Sequence, residues 1–419
     1  MKTPLLFCFW LSSLTIFSQS IVWEKTFNKS KYDHFEYISP TLDGGCIWCG
    51  DFQSDTAVYY ENIRVSYRSK ILVMKLNAQG VSEWEKFYGG DSSDYQAKYI
   101  QQTQDGGFIL FGMKYYLLTK MGRTNWNTSA WVVKLNSTGN VEWEKCYFET
   151  QENPDIIIIR QAKDGGFLLG GTLIEYPKAK TSILDLKRSL FVCKIDTKGD
   201  IQWRKIFKWK GSYSLHCISL LPNGSFLMGG GASLTKNFLI KVNSKGKYLW
   251  TKNYGEKSDG GSERGAIYDI QPILDGGYLL AGMSLQPNKE TDFWIFNINS
   301  KMQLKWEKFY GGSKVDAIKN ISPTTDGAFV LSGRTWSSDG DVKSANKGGS
   351  DYWLVKINAK GETIWEKTLG GSNNDKLGRV ELASDGGYFV GGETDSQDGD
   401  VKSANRTRGN QVWIIKIKD

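Results

Sequence analysis

AKYIQQTQDGGFILFGMKYYLLTKMGRTNWNTSAWVVKLNSTGNVEWEKCY, residues 97–147, holds four apolar segments and two glycine turns. Ala97–Thr103 and Phe108–Gly112 flank Gln104-Asp105-Gly106-Gly107; Trp131–Leu135 and Val141–Tyr147 flank Asn136-Ser137-Thr138-Gly139. Asp-Gly and Asn-x-x-Gly between apolar runs are hairpin signals, because glycine supplies the positive φ that such turns require. The stretch predicts a four-stranded antiparallel meander, strands a to d, with an irregular connection over 113–130 between b and c.

The same three phrases recur along the chain. Trp-x-Lys stands at Trp23, Trp84, Trp143, Trp203, Trp250, Trp306 and Trp365. A glycine turn follows at Asp43, Asp105, Asp164, Asp275 and Asp385, with variants at Asn223 and Asp326. A lysine–aliphatic–Asn/Asp phrase begins at Lys75, Lys134, Lys194, Lys241 and Lys356; Asn297 replaces the lysine once, and Lys416-Ile417 stands near the chain end. The tryptophans are about 57 residues apart on average, which is long for a helical solenoid repeat and enough for four strands.

The runs FILFG, FLLGG, YLLAG and YFVGG are apolar at successive positions, as are WVVKL, WLVKI and WIIKI on the next strand. A half-exposed strand would alternate, so each sheet should be covered on both faces. Seven such sheets cover one another by radial stacking, which predicts an all-β, seven-bladed β-propeller of four-stranded antiparallel blades with the repeat indoles between sheets. Ile21–Lys25 reads as a lone fourth strand and Gln411–Lys418 as a third strand without a fourth. Their pairing would close the ring; an open solenoid would instead want polar caps.

Residues 1–20 have the order of a secretory signal peptide: Lys2, an apolar run from Leu5 to Phe17, then Ser18 and Ser20. The expected organisation is a leader over 1–20 and a single propeller domain over 21–419, exported to the periplasm, cell surface or medium, monomeric, and with no membrane insertion once the leader is removed. The chain has 53 basic and 45 acidic side chains, a formal charge of +8, and its lysines recur with the repeat rather than clustering. Periodic charge of this kind is not a nucleic-acid footprint. Cys46, Cys49, Cys146, Cys193 and Cys217 lie beyond the leader, an odd number that gives no disulfide framework. Cys46 and Cys49 lie three apart on one predicted strand and point to opposite faces, so packing is preferred over metal or redox chemistry.

KINAKGETIW at Lys356–Trp365, then EKTLGGSNND and SDGGYFVGG, resemble the secreted β-propeller repeat proteins of Bacteroidota, with their WEK, GGS, DGG and DYW-x-V-K phrases. The resemblance covers the chain after the leader; it implies export and a propeller, and little about activity. The Gly-x-x-x-Trp hairpin is also similar to quinoprotein-type repeats. The doublets Gly170-Gly171, Gly229-Gly230 and Gly391-Gly392 resemble those of Kelch repeats.

The a–b and c–d turns are short and uniform and share one face of the ring. The b–c and d–a connections share the other and vary: 51–70, 113–130, 172–189, 334–351 and 393–411 are long. Function is expected on this variable face, binding a protein or polysaccharide of the cell envelope. Its aromatic residues Tyr59, Tyr60, Tyr67, Tyr115, Tyr116, Trp126, Tyr176 and Trp336 are the candidate contacts. DGDVKSAN occurs twice, at 339–346 and 398–405; its oxygen-rich side chains make Asp339, Asp341, Asp398 and Asp400 candidate Ca²⁺ ligands, although EF-hand order is lacking and Asx turns after a duplication explain the pattern as well. No other cofactor is expected.

Asp33, Asp94, Asp316 and Asp375 each fall ten residues after a repeat tryptophan, at the start of the innermost strand, and would form an acidic ring at one channel mouth. Such a ring suits a cation, or paired carboxylates of a glycan hydrolase or lyase, unless each carboxylate caps its own GGS turn. His34 and His216 lack sequence-level partners, and the nucleophile-elbow, zinc-protease and phosphate-loop motifs are not found. Three readings follow: a binding or scaffold protein, a carboxylate-based glycan enzyme, or a structural part of an envelope assembly.

Overall fold

The computed structural model describes residues 19–29, 33–60, 63–90, 93–120, 123–148, 154–175, 187–209, 211–232, 236–254, 264–285, 290–403 and 409–419. Among them, seven four-stranded antiparallel sheets form a β-propeller. Six blades are simple meanders in sequence order. Blade 1, for example, has strand a at Asp33–Pro40, b at Cys46–Tyr60, c at Ile63–Leu76 and d at Ser82–Tyr88. Blade 7 takes strands a to c from Asp375–Leu382, Tyr388–Thr394 and Gln411–Lys418, and its fourth strand is Ser20–Phe27. Thr26 lies opposite Trp413, and the Trp413 indole donates to Glu24 Oε2 at 2.8 Å, so backbone ladder and side chain both close the ring.

The repeated phrases are the parts of one hydrogen-bonded frame. The strand-c lysines Lys75, Lys134, Lys194, Lys356 and Lys416 are buried, and each meets the aspartate of its own DGG-type turn: Asp43, Asp105, Asp164, Asp326 and Asp385, at 2.7–3.0 Å. A buried ammonium without a counter-charge is costly, which ties the two phrases together. Blade 5 carries Asn297 in place of the lysine, and there Asp275 pairs with Lys305 at 2.7 Å instead. The glutamate of WEK accepts the strand-c indole hydrogen bond: Trp131 to Glu144 at 3.2 Å, Trp294 to Glu307 and Trp353 to Glu366 at 3.0 Å. A hydrogen bond to a charged acceptor is worth about 1.5–3 kcal/mol.

The repeat tryptophans do lie between blades, but at their outer edge. Most are half-buried, whereas the fully buried indoles are Trp48, Trp294, Trp353 and Trp413 on strands b and c. Trp23, Trp84, Trp143, Trp203 and Trp306 each rest on the c–d turn glycine of the next blade. A Cβ added at Gly80 would lie 2.8 Å from the Trp23 ring, and one at Gly199 2.9 Å from Trp143. These glycines also have φ near +80°, so conformation and space both require them.

Every inner strand carries a β-bulge at the same level. The extra residue is Glu36, Lys98, Ile157, His216, Tyr268, Lys319 or Gly378 in blades 1 to 7. The residue just before each bulge pairs with a glycine on strand b: Gly50, Gly112, Gly171, Gly230, Gly282, Gly333 and Gly392. A Cβ at Gly333 would come within 2.2 Å of the Ala317 carbonyl oxygen, and one at Gly50 within 2.0 Å of the His34 oxygen. The glycine doublets are thus bulge seats, and the bulges re-aim inner-strand side chains into the channel.

Candidate functional site

The variable rim is built differently from a set of loops. Residues 113–130 form a regular ladder from Met113 opposite Ala130 to Lys120 opposite Arg123, where an irregular connection is expected from the sequence. Strand a of blade 2 ends its pairing at Asp94 opposite Tyr115, so the last five pairs stand as a two-stranded ribbon, roughly 17 Å long. In blade 1, pairing with strand a stops at Asp33 opposite Phe52, and Gln53–Tyr60 continues against Ile63–Ser69 alone. β-Branched and aromatic residues such as Val58, Tyr59, Ile63 and Val65 favour this continued ladder.

The candidate aromatic contacts divide accordingly. Tyr59 and Tyr60 lie on the blade 1 ribbon opposite Arg64 and Ile63, and Tyr67 opposite Ala57; Trp126 lies on the blade 2 ribbon opposite Leu117. Tyr176 falls outside the described residues. The Tyr115 hydroxyl donates to Gln96 at 3.1 Å, and its ring packs half-buried against the blade 2–3 core. Tyr116 has the Lys114 ammonium 5.9 Å from its ring, and Trp336 lies under the Arg334 guanidinium at 4.6 Å.

The two DGDVKSAN loops close over the GGS turns. In blade 6, Gly311, Gly312, Ser313 and Lys314 donate their backbone N–H groups to Asp341, Asp316, Asp339 and the Ser337 hydroxyl, at 3.2, 2.8, 2.7 and 3.0 Å. Blade 7 repeats this with Gly370, Gly371, Ser372 and Asn373 on Asp400, Asp375, Asp398 and Ser396. Consecutive N–H groups make an anion-binding nest, here filled by the protein's own carboxylates. Val342 and Val401 plug the core beneath, and Ser344 and Ser403 hydrogen-bond Glu366 and Glu24 of the WEK phrases. Among the described residues no group of three or more His, Cys, Asp or Glu side chains is arranged to hold a metal.

The acidic ring is engaged in the same way. Asp316 and Asp375 are fully buried; burial raises both pKa values, against the hydrogen bonds that lower them. Asp33, also buried, accepts from the Lys29 backbone, and Asp94 from the Ser69 N–H at 3.2 Å. None of the four is among the residues lining the described channel cavities. Asp316 and Asp375 cap their own GGS turns, whereas Asp94 is held by strand c of blade 1.

The channel is lined instead by the bulge level. A cavity of about 330 Å³ is bounded by all seven inner strands, with Glu36, Lys98, Asp155, Arg160, His216, Tyr268, Asp269, Lys319 and Arg379 among its walls. Tyr37 and Tyr99, with ring centroids 4.2 Å apart, separate it from a wider mouth of about 660 Å³ on the uniform-turn face, where Gln102, Gln104, Gln161 and Glu381 sit. Arg379 lies over the Tyr37 ring at 4.4 Å and pairs with Glu381; Arg160 lies over Tyr99 at 5.0 Å. Burial raises the Tyr37 pKa, so this layer keeps its phenol neutral. No shared residue type marks the bulge positions in sequence; the only signal is the facing glycine.

Among the described residues, Cys46, Cys49, Cys146, Cys193 and Cys217 form no disulfide. Cys46 and Cys49 belong to two different core clusters, and burial pushes the Cys46 thiol up to about 12, which leaves it unreactive.

No protein-family model and no curated protein sequence matches the chain. Among solved structures, it is similar to a protein of unknown function from Dyadobacter fermentans, with 9% identity, a TM-score of 0.50, and coverage of 96% of this chain and 99% of the other. Sqt1 from Chaetomium thermophilum matches with the same identity, TM-score and coverage. A DUF4221 member from Bacteroides vulgatus has 9% identity and a TM-score of 0.35, over 79% of this chain and 99% of its own. The likeness to the first two, at 9% identity, speaks for the fold alone.

Proposed function

We propose that the protein is an exported, non-catalytic binding module that holds a partner of the cell envelope on its b–c/d–a rim. The observation that carries this reading is the pair of two-stranded ribbons projecting from adjacent blades 1 and 2 beyond the support of any third strand. Isolated hairpins are marginal in water, so ribbons carried on a rigid ring gain stability by packing against something else. Their aromatic residues favour a polysaccharide over a protein, since planar rings stack on sugar faces. The leader-like residues 1–20 support export. A carboxylate-based glycan enzyme gains no support, because the acids at its ring cap backbone turns.

The test is an array of envelope polysaccharides probed with the chain from residue 20 onward. A variant with residues 117–126 replaced by an Asn-Gly turn serves as comparison. The expected result is retention of a glycan by the parent and at least tenfold weaker retention by the variant, at an unchanged melting temperature. No glycan retained by the parent, or equal retention by both, would overturn the reading.

A further inference from the structure

The cavity at the bulge level holds a lysine, Lys319, that makes no direct ion pair with a described residue, although Glu36 acts on it through space. The cavity lining carries four bases, Lys98, Arg160, Lys319 and Arg379, against three acids, Glu36, Asp155 and Asp269. Lys98 pairs with Glu36 at 3.5 Å, and Arg379 pairs with Glu381. Arg160 donates to the Ile159 carbonyl at 3.0 Å, and Asp269 accepts the Ile270 and Ile321 N–H groups at 2.9 Å each. Asp155 stands exposed on the wall. Lys319 makes no hydrogen bond or ion pair with a described residue, and its side chain is open to the lumen. Its surroundings disfavour the charge: desolvation lowers its pKa, as do Lys376, Arg379 and Arg334, with Glu36 opposing. An anion in the lumen would offset the repulsion from Lys376, Arg379 and Arg334.

The walls beside Lys319 suit a hydroxylated ring. His216 and Tyr268, from the two preceding blades, have ring centroids 4.9 Å apart and form an aromatic wall. Burial and the nearby Lys319 charge lower the His216 pKa to about 4, so at neutral pH its imidazole offers one donor and one acceptor. Hydroxyl groups both donate and accept, and the Asp155 carboxylate adds an acceptor. The volume is at the lower end of ligand pockets, near 300 Å³, and fits a monosaccharide-sized molecule rather than a chain.

We propose that this cavity binds a small hydroxylated carboxylate of sugar-acid size, its carboxylate on Lys319 and its ring against His216 and Tyr268. The site is separate from the rim ribbons and stands or falls without them.

Isothermal titration with D-glucuronate, D-glucose and inorganic phosphate tests it, on the parent and on Lys319→Met. The parent should bind glucuronate at least tenfold more tightly than glucose or phosphate, and Lys319→Met should lose at least tenfold of that affinity while keeping its circular dichroism spectrum. No glucuronate binding, or equal affinity in Lys319→Met, would overturn the site; phosphate binding as tightly as glucuronate would overturn the sugar-acid assignment. Should the variant fail to fold, the parent alone decides by NMR. The chain has two histidines, and glucuronate should shift the ring signals of His216 while those of His34 stay in place. An unmoved His216 contradicts the proposal.

Discussion

Asp351 shows how the burial of a single side chain contributes to the pH response of this molecule. It is fully buried; one carboxylate oxygen accepts the Lys347 N–H at 2.7 Å, and the other has no partner among the described residues. Burial raises its pKa to about 6, with Asp375 and Asp400 adding to the rise and the Lys347 hydrogen bond opposing it. An acid whose pKa is higher in the fold than its ordinary 3.8 binds its proton more tightly when folded. Its favourable contribution is therefore present below about pH 4 and is lost as pH rises to about 6. Asp351→Asn keeps the acceptor for Lys347 and removes the titration. Thermal melts should place the variant level with the parent at pH 4 and roughly 1–3 kcal/mol more stable at pH 8. A variant less stable at pH 8 would mean that the ionised carboxylate has a stabilising partner.

At the scale of the element, the inner-strand bulge depends on the glycine across from it. Gly333→Ala would drive a Cβ into the Ala317 carbonyl oxygen at 2.2 Å, and neither backbone can move without disturbing the ladder. Overpacking of this kind costs about 1–3 kcal/mol, so the urea midpoint should fall at an unchanged m-value. An unchanged midpoint would mean that the bulge is not held by close approach of the strands. Elements also mark where the sequence was legible. The DGG and N-x-x-G turns announce their hairpins because positive φ selects glycine, and the WEK and strand-c lysine phrases mark their strands by period. The rim ribbons were hidden, because KYYLLTK and RTNWNTS at 114–120 and 123–129 mix polar and apolar residues without the unbroken apolar run of a covered strand. The lumen residues were hidden for a different reason. A bulge shifts the two-residue alternation by one, so counting along strand a assigns Lys98, His216 and Lys319 to the wrong face.

At the scale of the whole molecule, seven near-equal blades were readable from the spacing of the tryptophans, and the closing strand from the phase of the repeat at the two extremities. The candidate site was legible only in outline. Placing the variable connections on one rim follows from strand order alone, whereas of the acids expected at the channel mouth Asp316 and Asp375 cap their own GGS turns, beneath the DGDVKSAN loops of the same blades. Rim and lumen both take their positions from the closure of blade 7 by Ser20–Phe27. Native-state amide hydrogen exchange over that strand, in the chain from residue 20 onward, tests the closure most directly. Ring closure requires that the paired amides of Ser20–Phe27 are protected together with those of Gln411–Lys418 and exchange only with global opening. Exchange of the first strand at free-chain rates, with Gln411–Lys418 still protected, would contradict it.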